Sequence, residues 1–181
     1  MNIKKLFEVQ KILDDRITKE HSLEGYYLIP EKTLALQVEL GELANEWRGF
    51  KFWSKDQSPR IKVAKRPSMN YDDIEWHNPL LEEYVDCLHF LLSIGLELGF
   101  HRDAEVYLVK ITDPIQMFSK QFQLIIQFEM SEGRQAKQNY YYGMLSQFLG
   151  LRKSLRFTWE QIEQAYLEKN KINHDRQATG Y

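Results

Sequence analysis

The chain contains one cysteine, Cys87, in 181 residues. An internal disulfide framework is therefore excluded, and the composition fits a reducing compartment. Cys87 falls within a strongly apolar stretch and is expected to be inert core rather than a nucleophile. Long apolar runs are also missing, none approaching the ~20 residues a membrane-spanning helix requires. The opening "MNIKKLFEVQKILDDRI" alternates charged with apolar residues, unlike the unbroken apolar core of a signal peptide. Nor is there an excess of one charge: 24 Lys and Arg against 26 Asp and Glu leave a net charge of −2. That balance gives no electrostatic reason to expect nucleic acid or a membrane as partner, although local basic clusters can still bind phosphate. No internal repeat or low-complexity tract stands out. A soluble, cytoplasmic protein is the expectation these absences leave.

What is present is globular: 43% hydrophobic and 28% charged residues, far from a disordered composition. A chain of this length suits a single domain spanning 1–181, able to bury roughly 70% of its unfolded surface. The hydrophobic period is helical nearly throughout. Leu6, Val9, Ile12, Leu13 and Ile17 recur at three- and four-residue spacing. Pro30 suits the first turn of a second helix running to about Gly49, with Leu36, Leu40, Leu43 and Trp47 on its buried side. Leu80 to Leu98 reads as a third, very apolar helix in which His89 is expected to pack against neighbours. Asp113-Pro114 opens a fourth, whose Phe118, Phe122, Ile125 and Ile126 form an expected buried face. After the break "SEGRQ" a fifth runs from about Gln138 to Ser154; its Tyr140, Tyr141, Tyr142, Phe148 and Leu149 do not suggest a site. Thr158 with Gln161 is a capping-box pattern opening a last helix to about Asn173. The exception is Ser54 to Asn78, with two prolines, mixed charge and no period. Its Arg60, Lys62, Lys65 and Arg66 read as a solvated excursion rather than a phosphate-gripping lid. The fold class expected is an all-α bundle of five or six helices.

Two of those helices carry paired carboxylates. Glu39 and Glu42 are three residues apart, hence on one face, and Glu83 and Asp86 repeat the spacing on the next helix. Glu46 extends the first row and Glu82 neighbours the second. If the helices pack together the four groups converge. Two like charges 4 Å apart repel by roughly 4 kcal/mol even at an effective dielectric of about 20. Such a cluster takes up protons, shifts its pKa values or binds a divalent cation. Carboxylate-only ligation favours hard cations, Mg²⁺ or Mn²⁺ before Zn²⁺. No Cys/His cluster competes, since the five histidines are scattered singly. Spacing alone also leaves room for a merely solvated acidic face on a non-enzymatic helical interaction module.

The segments "ELGELANEWRGFKFWS", "LLEEYVDCLHFLLSIGLELGF", "YLEKNKINHDRQATGY" and "FEVQKILDDRI" together resemble the dimeric all-α deoxyuridine triphosphatase (dUTPase) family. That family lies within the MazG-like all-α NTP pyrophosphohydrolase group. The group pattern, E-x-x-E on one helix and E-x-x-D on the next, maps onto Glu39, Glu42, Glu83 and Asp86. The separation between the two pairs is longer than usual for the group, which marks residues 54–79 as an insertion. The resemblance implies a homodimer that hydrolyses dUTP, and dUDP, to dUMP with Mg²⁺, releasing pyrophosphate from the triphosphate. A related reading keeps fold and metal but takes another or a damaged nucleoside triphosphate. It further implies Glu39, Glu42, Glu83 and Asp86 as metal ligands, with Glu42, or next Glu39, acting on the attacking water. Lys51, Lys169, Asn170, Asn173 and Arg176 would meet phosphate, the alternative for the last four being a polar helix end. Gln10, Trp53 and Asp14 would meet the base, an amide pairing with the donor and acceptor edge of uracil and an indole stacking on its face. Trp47 belongs to packing.

Overall fold

The computed structural model describes residues 2–66, 73–102, 106–107 and 109–179, so residues 67–72 of the expected loop lie outside the described part. Six helices carry the described fold: α1 (Ile3–Glu20), α2 (Ile29–Trp47), α3 (Pro79–Glu97), α4 (Pro114–Met130), α5 (Arg134–Ser154) and α6 (Trp159–Ala178). Between α2 and α3 a two-residue strand β1 (Val63–Ala64) pairs antiparallel with β2 (Trp76–His77), Val63 opposite His77 and Ala64 opposite Trp76. The all-α reading is thus correct.

Helices α1, α3, α4 and α6 begin where a capping side chain accepts from one of the first free N–H groups. The Asn78 side chain accepts from the Leu81 amide at 3.1 Å, with Pro79 in the first turn of α3. Asp113 accepts from the Ile115 amide at 2.8 Å to start α4. Thr158 and Gln161 form the reciprocal box that opens α6, at 3.2 and 2.9 Å. Helix α2 stops at Arg48, whose φ of 64° turns the chain out of the helix.

Helix α3 is apolar around most of its circumference and is therefore central. It packs on α2, α1 and α6, while α4 lies against α5 and α2. Leu36, Leu40 and Leu43 of α2 and Tyr84, Leu88, Leu91 and Leu92 of α3 are wholly buried. Tyr84 ties α3 to α5, stacking on Phe148 at 4.4 Å between centroids and donating to the Phe148 carbonyl at 3.1 Å. Trp47 is half-buried against Phe118, at 5.5 Å, in the packing role expected. Cys87 and His89 are buried, as anticipated.

Several local expectations need correction. Helix α5 starts at Arg134, a turn before Gln138, because the break is confined to Ser131–Gly133 and Gly133 takes φ 76°. Helix α6 continues five residues beyond Asn173 to Ala178, its polar end held where Arg16 donates to the His174 carbonyl at 2.8 Å. Ile12 and Ile126 fit the helical period yet are 65% and 49% exposed, since each lies at the edge of its stripe, beyond reach of the neighbouring helix.

Candidate active site

The α2–α3 contact brings the acidic rows together. Leu36, Leu40 and Leu43 fix the rotation of α2 by being buried, which leaves Glu39 facing α3 beside them. Glu39, Glu83 and Asp86 each offer an oxygen such that all three atoms lie within 4.8 Å of one another. Glu42 is exposed and does not enter that triple, although its charge still acts on Glu39 and Glu83.

The electrostatic consequence is a set of carboxyls that resist ionisation. Burial, then repulsion from Asp86, Glu39 and Glu42, pushes Glu83 up to about 8. Burial, Asp86 and Glu42 raise Glu39. Burial also raises Asp86, opposed by Lys169, whose Nζ lies 2.5 Å from Asp86 Oδ2. A cluster in this condition has surplus negative potential and hard oxygen donors only, which suits a divalent cation of the Mg²⁺ or Mn²⁺ type. The carboxylates flanking the triple have other work. Glu46 receives Arg60 at 3.2 Å and accepts the Arg60 amide on its carbonyl at 3.0 Å, pinning the loop after α2. Glu82 takes His77 Nδ1 at 3.0 Å. Lys65 pairs with Glu75, and Lys62 lies over Trp76.

Beside the triple a cavity of about 290 Å³ opens between α1, α2, α3 and α6, at the small end for a ligand site. Glu39 and Asp86 form part of its wall, together with five of the residues singled out in the sequence: Gln10, Asp14, Lys169, Asn173 and Arg176. Asn170 is buried one turn past Tyr166, off the lining, and its amide nitrogen has no partner among the described residues. Lys51 and Trp53 are not brought to this cavity. Lys51 sits over Phe50, and Trp53 is 65% exposed, edge-on to Phe50 and Phe52. The left-handed turn at Arg48 carries both away from the α2 face that holds Glu39.

The wall also contains His89 and Ser93, which sequence reasoning left out, and Tyr166 is buried behind it. Gln10 Oε1 accepts from His89 Nδ1 at 2.7 Å and from the Tyr166 hydroxyl at 2.5 Å. Gln10 Nε2 donates to Asp14 Oδ1 at 2.7 Å, and Ser93 donates to Asp14 Oδ2 at 2.7 Å. His89 stacks on Tyr166 at 4.1 Å, and burial drives it down to about 3, so it is a neutral imidazole. Burial is also the largest influence on Asp14 and raises it against the two donors. A signal for Ser93 and His89 was present: Asp86, His89 and Ser93 repeat at three and four residues along one face of an otherwise apolar helix. Tyr166 carried no such mark.

A family model described as dUTPase matches residues 2–181. No curated protein matches the chain. The matched span takes in both acidic helices, the loop between them and the α6 residues at the cavity. The family implies a nucleotide substrate and a divalent metal, for which the Glu39–Glu83–Asp86 group has the right donors. The chain belongs to the all-α dUTPase family and is a dUTP-hydrolysing enzyme.

Proposed function

We propose that this dUTPase is Mg²⁺-dependent, with Mn²⁺ able to substitute, and converts dUTP and dUDP to dUMP in the cavity between α1, α2, α3 and α6. The observation that carries the reading is the convergence of Glu39, Glu83 and Asp86 at the wall of a cavity that also presents Lys169 and Arg176. Glu39, Glu42, Glu83 and Asp86 would hold the cation, Glu42 from the exposed rim. When bound, the cation supplies charge neutralisation at the phosphate oxygens and acidifies water. Glu42, or Glu39 in its place, orients the water that attacks the α-phosphorus and accepts its proton. The bond from that phosphorus to the bridging oxygen breaks, and pyrophosphate leaves dUTP, or phosphate leaves dUDP. Lys169, now on Asp86, can swing to a phosphate oxygen once a cation neutralises that carboxylate, with Asn173 and Arg176 along the same helix. Asn170, Lys51 and Trp53 stand outside the cavity lining, so their contact with nucleotide requires movement or a second chain.

Three further readings accompany this one. Residues 54–79 form an insertion in a single domain, tied at its base by Arg60 to Glu46 and by the Leu80 amide to the Arg60 carbonyl at 3.1 Å. The enzyme works as a homodimer; exposed Leu34 and Val38 on α2 and Ile126 and Met130 on α4 support an apolar contact surface. It resides in the cytoplasm, in keeping with a lone buried cysteine and no described helix long and apolar enough to cross a membrane.

A panel of dUTP, dUDP, dCTP and dTTP, each with and without Mg²⁺, tests the proposal, with products resolved by chromatography. Metal-dependent release of dUMP in preference to the other monophosphates is expected, and equal turnover of all bases would overturn the uracil selectivity. In heavy-oxygen water the label should enter dUMP; label in pyrophosphate would place the attack at the β-phosphorus instead.

A further inference from the structure

Gln10 is a buried carboxamide whose two ends are not equivalent. Its oxygen accepts from two donors, His89 Nδ1–H at 2.7 Å and the Tyr166 hydroxyl at 2.5 Å. Its nitrogen donates one hydrogen to Asp14 at 2.7 Å, and Asp14 is itself held by Ser93. A carboxamide oxygen only accepts and its nitrogen carries two hydrogens. One N–H therefore remains without a partner among the described residues, on a side chain that lines the cavity.

Turning the carboxamide over would put its oxygen 2.7 Å from an Asp14 oxygen, a contact two acceptors cannot make while Asp14 is ionised. It would also turn N–H groups towards Tyr166 and His89 Nδ1, so that the Tyr166 hydroxyl hydrogen would lose its acceptor. The neutral imidazole would then have to carry its hydrogen on buried Nε2, which has no partner among the described residues. His89 stays neutral under its burial, with the hydrogen on Nδ1 set by the oxygen it meets. Tyr166 is held well above the usual tyrosine range by burial and remains a donor. Three groups on three helices thus fix one rotamer: Asp14 on α1, His89 on α3 and Tyr166 on α6.

We propose that Tyr166 and His89 are positioning residues that lock Gln10 as a one-way hydrogen-bond donor into the cavity, so that it accepts a base presenting a carbonyl and rejects one presenting an amino group. This rests on the reading that the cavity takes the pyrimidine of dUTP. It narrows the role of Gln10: the amide does not read both a donor and an acceptor on the base, because its oxygen is already occupied. Uracil and thymine present a carbonyl where cytosine presents an amino group. A locked donor therefore separates dUTP from dCTP and is indifferent to the thymine methyl. Unpaired polar groups in a buried site make such a rejection steep, whereas a site able to turn its amide over accommodates either partner.

The test is kcat/KM for dUTP, dCTP and dTTP in wild type, Tyr166→Phe and His89→Phe, with thermal melts to establish folding. Each variant keeps an aromatic ring and deletes one donor to Gln10 Oε1. The dUTP-to-dCTP ratio should fall by roughly tenfold in each, the scale of one hydrogen bond, chiefly through a lower KM for dCTP. The dUTP-to-dTTP ratio should stay within about twofold, which a generally loosened pocket would not allow. An unchanged dUTP-to-dCTP ratio in both folded variants, or an equal change in both ratios, overturns the lock while leaving the assignment of the cavity intact. A wild type that does not distinguish dUTP from dCTP overturns the lock and the uracil reading of the cavity together.

Discussion

Glu39 is the residue on which packing and charge disagree most usefully. Leu36, Leu40 and Leu43 are buried to hold α2 on α3, and that rotation drives the Glu39 carboxylate towards Glu83 and Asp86. Its pKa is raised by burial, then by Asp86 and Glu42, so ionised Glu39 is a source of strain in the metal-free chain. Glu39→Gln should raise the melting temperature of metal-free protein near about pH 8 by a few degrees while lowering dUTP turnover by ~100-fold or more. A lowered melting temperature would mean that the carboxylate is stabilised where it stands. The i, i+3 spacing made this group legible, because helical period alone places Glu39 on one face and Glu83 with Asp86 on another. The Gln10 network was not legible in the same way. His89 lies 79 residues from Gln10 and Tyr166 lies 156, and only the meeting of three helices makes them neighbours. Trp53 is the reverse case: an indole beside the acidic helix in sequence stands exposed and off the cavity lining, beyond the left-handed turn at Arg48.

At the scale of the element, the helices were readable and their edges were not. The apolar pattern located α3, and the capping residues Asp113 and Thr158, which act on the backbone directly, located the starts of α4 and α6. The early start of α5 and the far end of α6 depend on a positive-φ glycine and on Arg16 reaching the His174 carbonyl, neither of which leaves a period. The β1–β2 pair went unread because two residues per strand are too few to show alternation. Helix α3 also contains a position where close approach, rather than propensity, selects the residue. A Cβ on Gly95 would stand 2.0 Å from the Tyr141 hydroxyl oxygen and 3.2 Å from a Phe7 ring carbon. Tyr141 cannot easily yield, being buried and bonded to the Leu91 carbonyl at 3.1 Å. Gly95→Ala gains about 1 kcal/mol of helix propensity and loses up to about 3 to overpacking. A net destabilisation of ~2 kcal/mol is expected in urea unfolding, with the α1–α3 and α3–α5 contacts loosened together. A stabilised variant would show that Tyr141 moves freely.

For the whole molecule, the buried titratable groups set opposing slopes of stability against pH. His89 is depressed to about 3 by burial, so it binds fewer protons folded than unfolded, and its contribution grows as pH rises to about 6.5. Glu83 is raised to about 8 and binds more protons folded than unfolded, so its contribution is complete below about 4.5 and is lost as pH rises through about 8. Asp14, Glu39 and Asp86 are raised as well and act with Glu83 in sign. The two tendencies offset one another in mildly acid solution. Above about pH 6.5 the histidine has nothing further to add and the carboxyl cluster alone remains, so stability should decline towards about pH 8 and beyond. A divalent cation on Glu39, Glu83 and Asp86 binds their ionised forms and cancels that decline, since a ligand of the native state stabilises it. Thermal melts in chelator should therefore show no rise through mildly acid solution and a fall above about pH 6.5, and Mg²⁺ should raise the melting temperature far more at about pH 8 than at about pH 5. Glu83→Gln should flatten the alkaline limb in chelator and remove most of the Mg²⁺ response. A response to Mg²⁺ equal at both pH values, or one that survives in Glu83→Gln, would place the cation elsewhere than on the α2–α3 carboxylates.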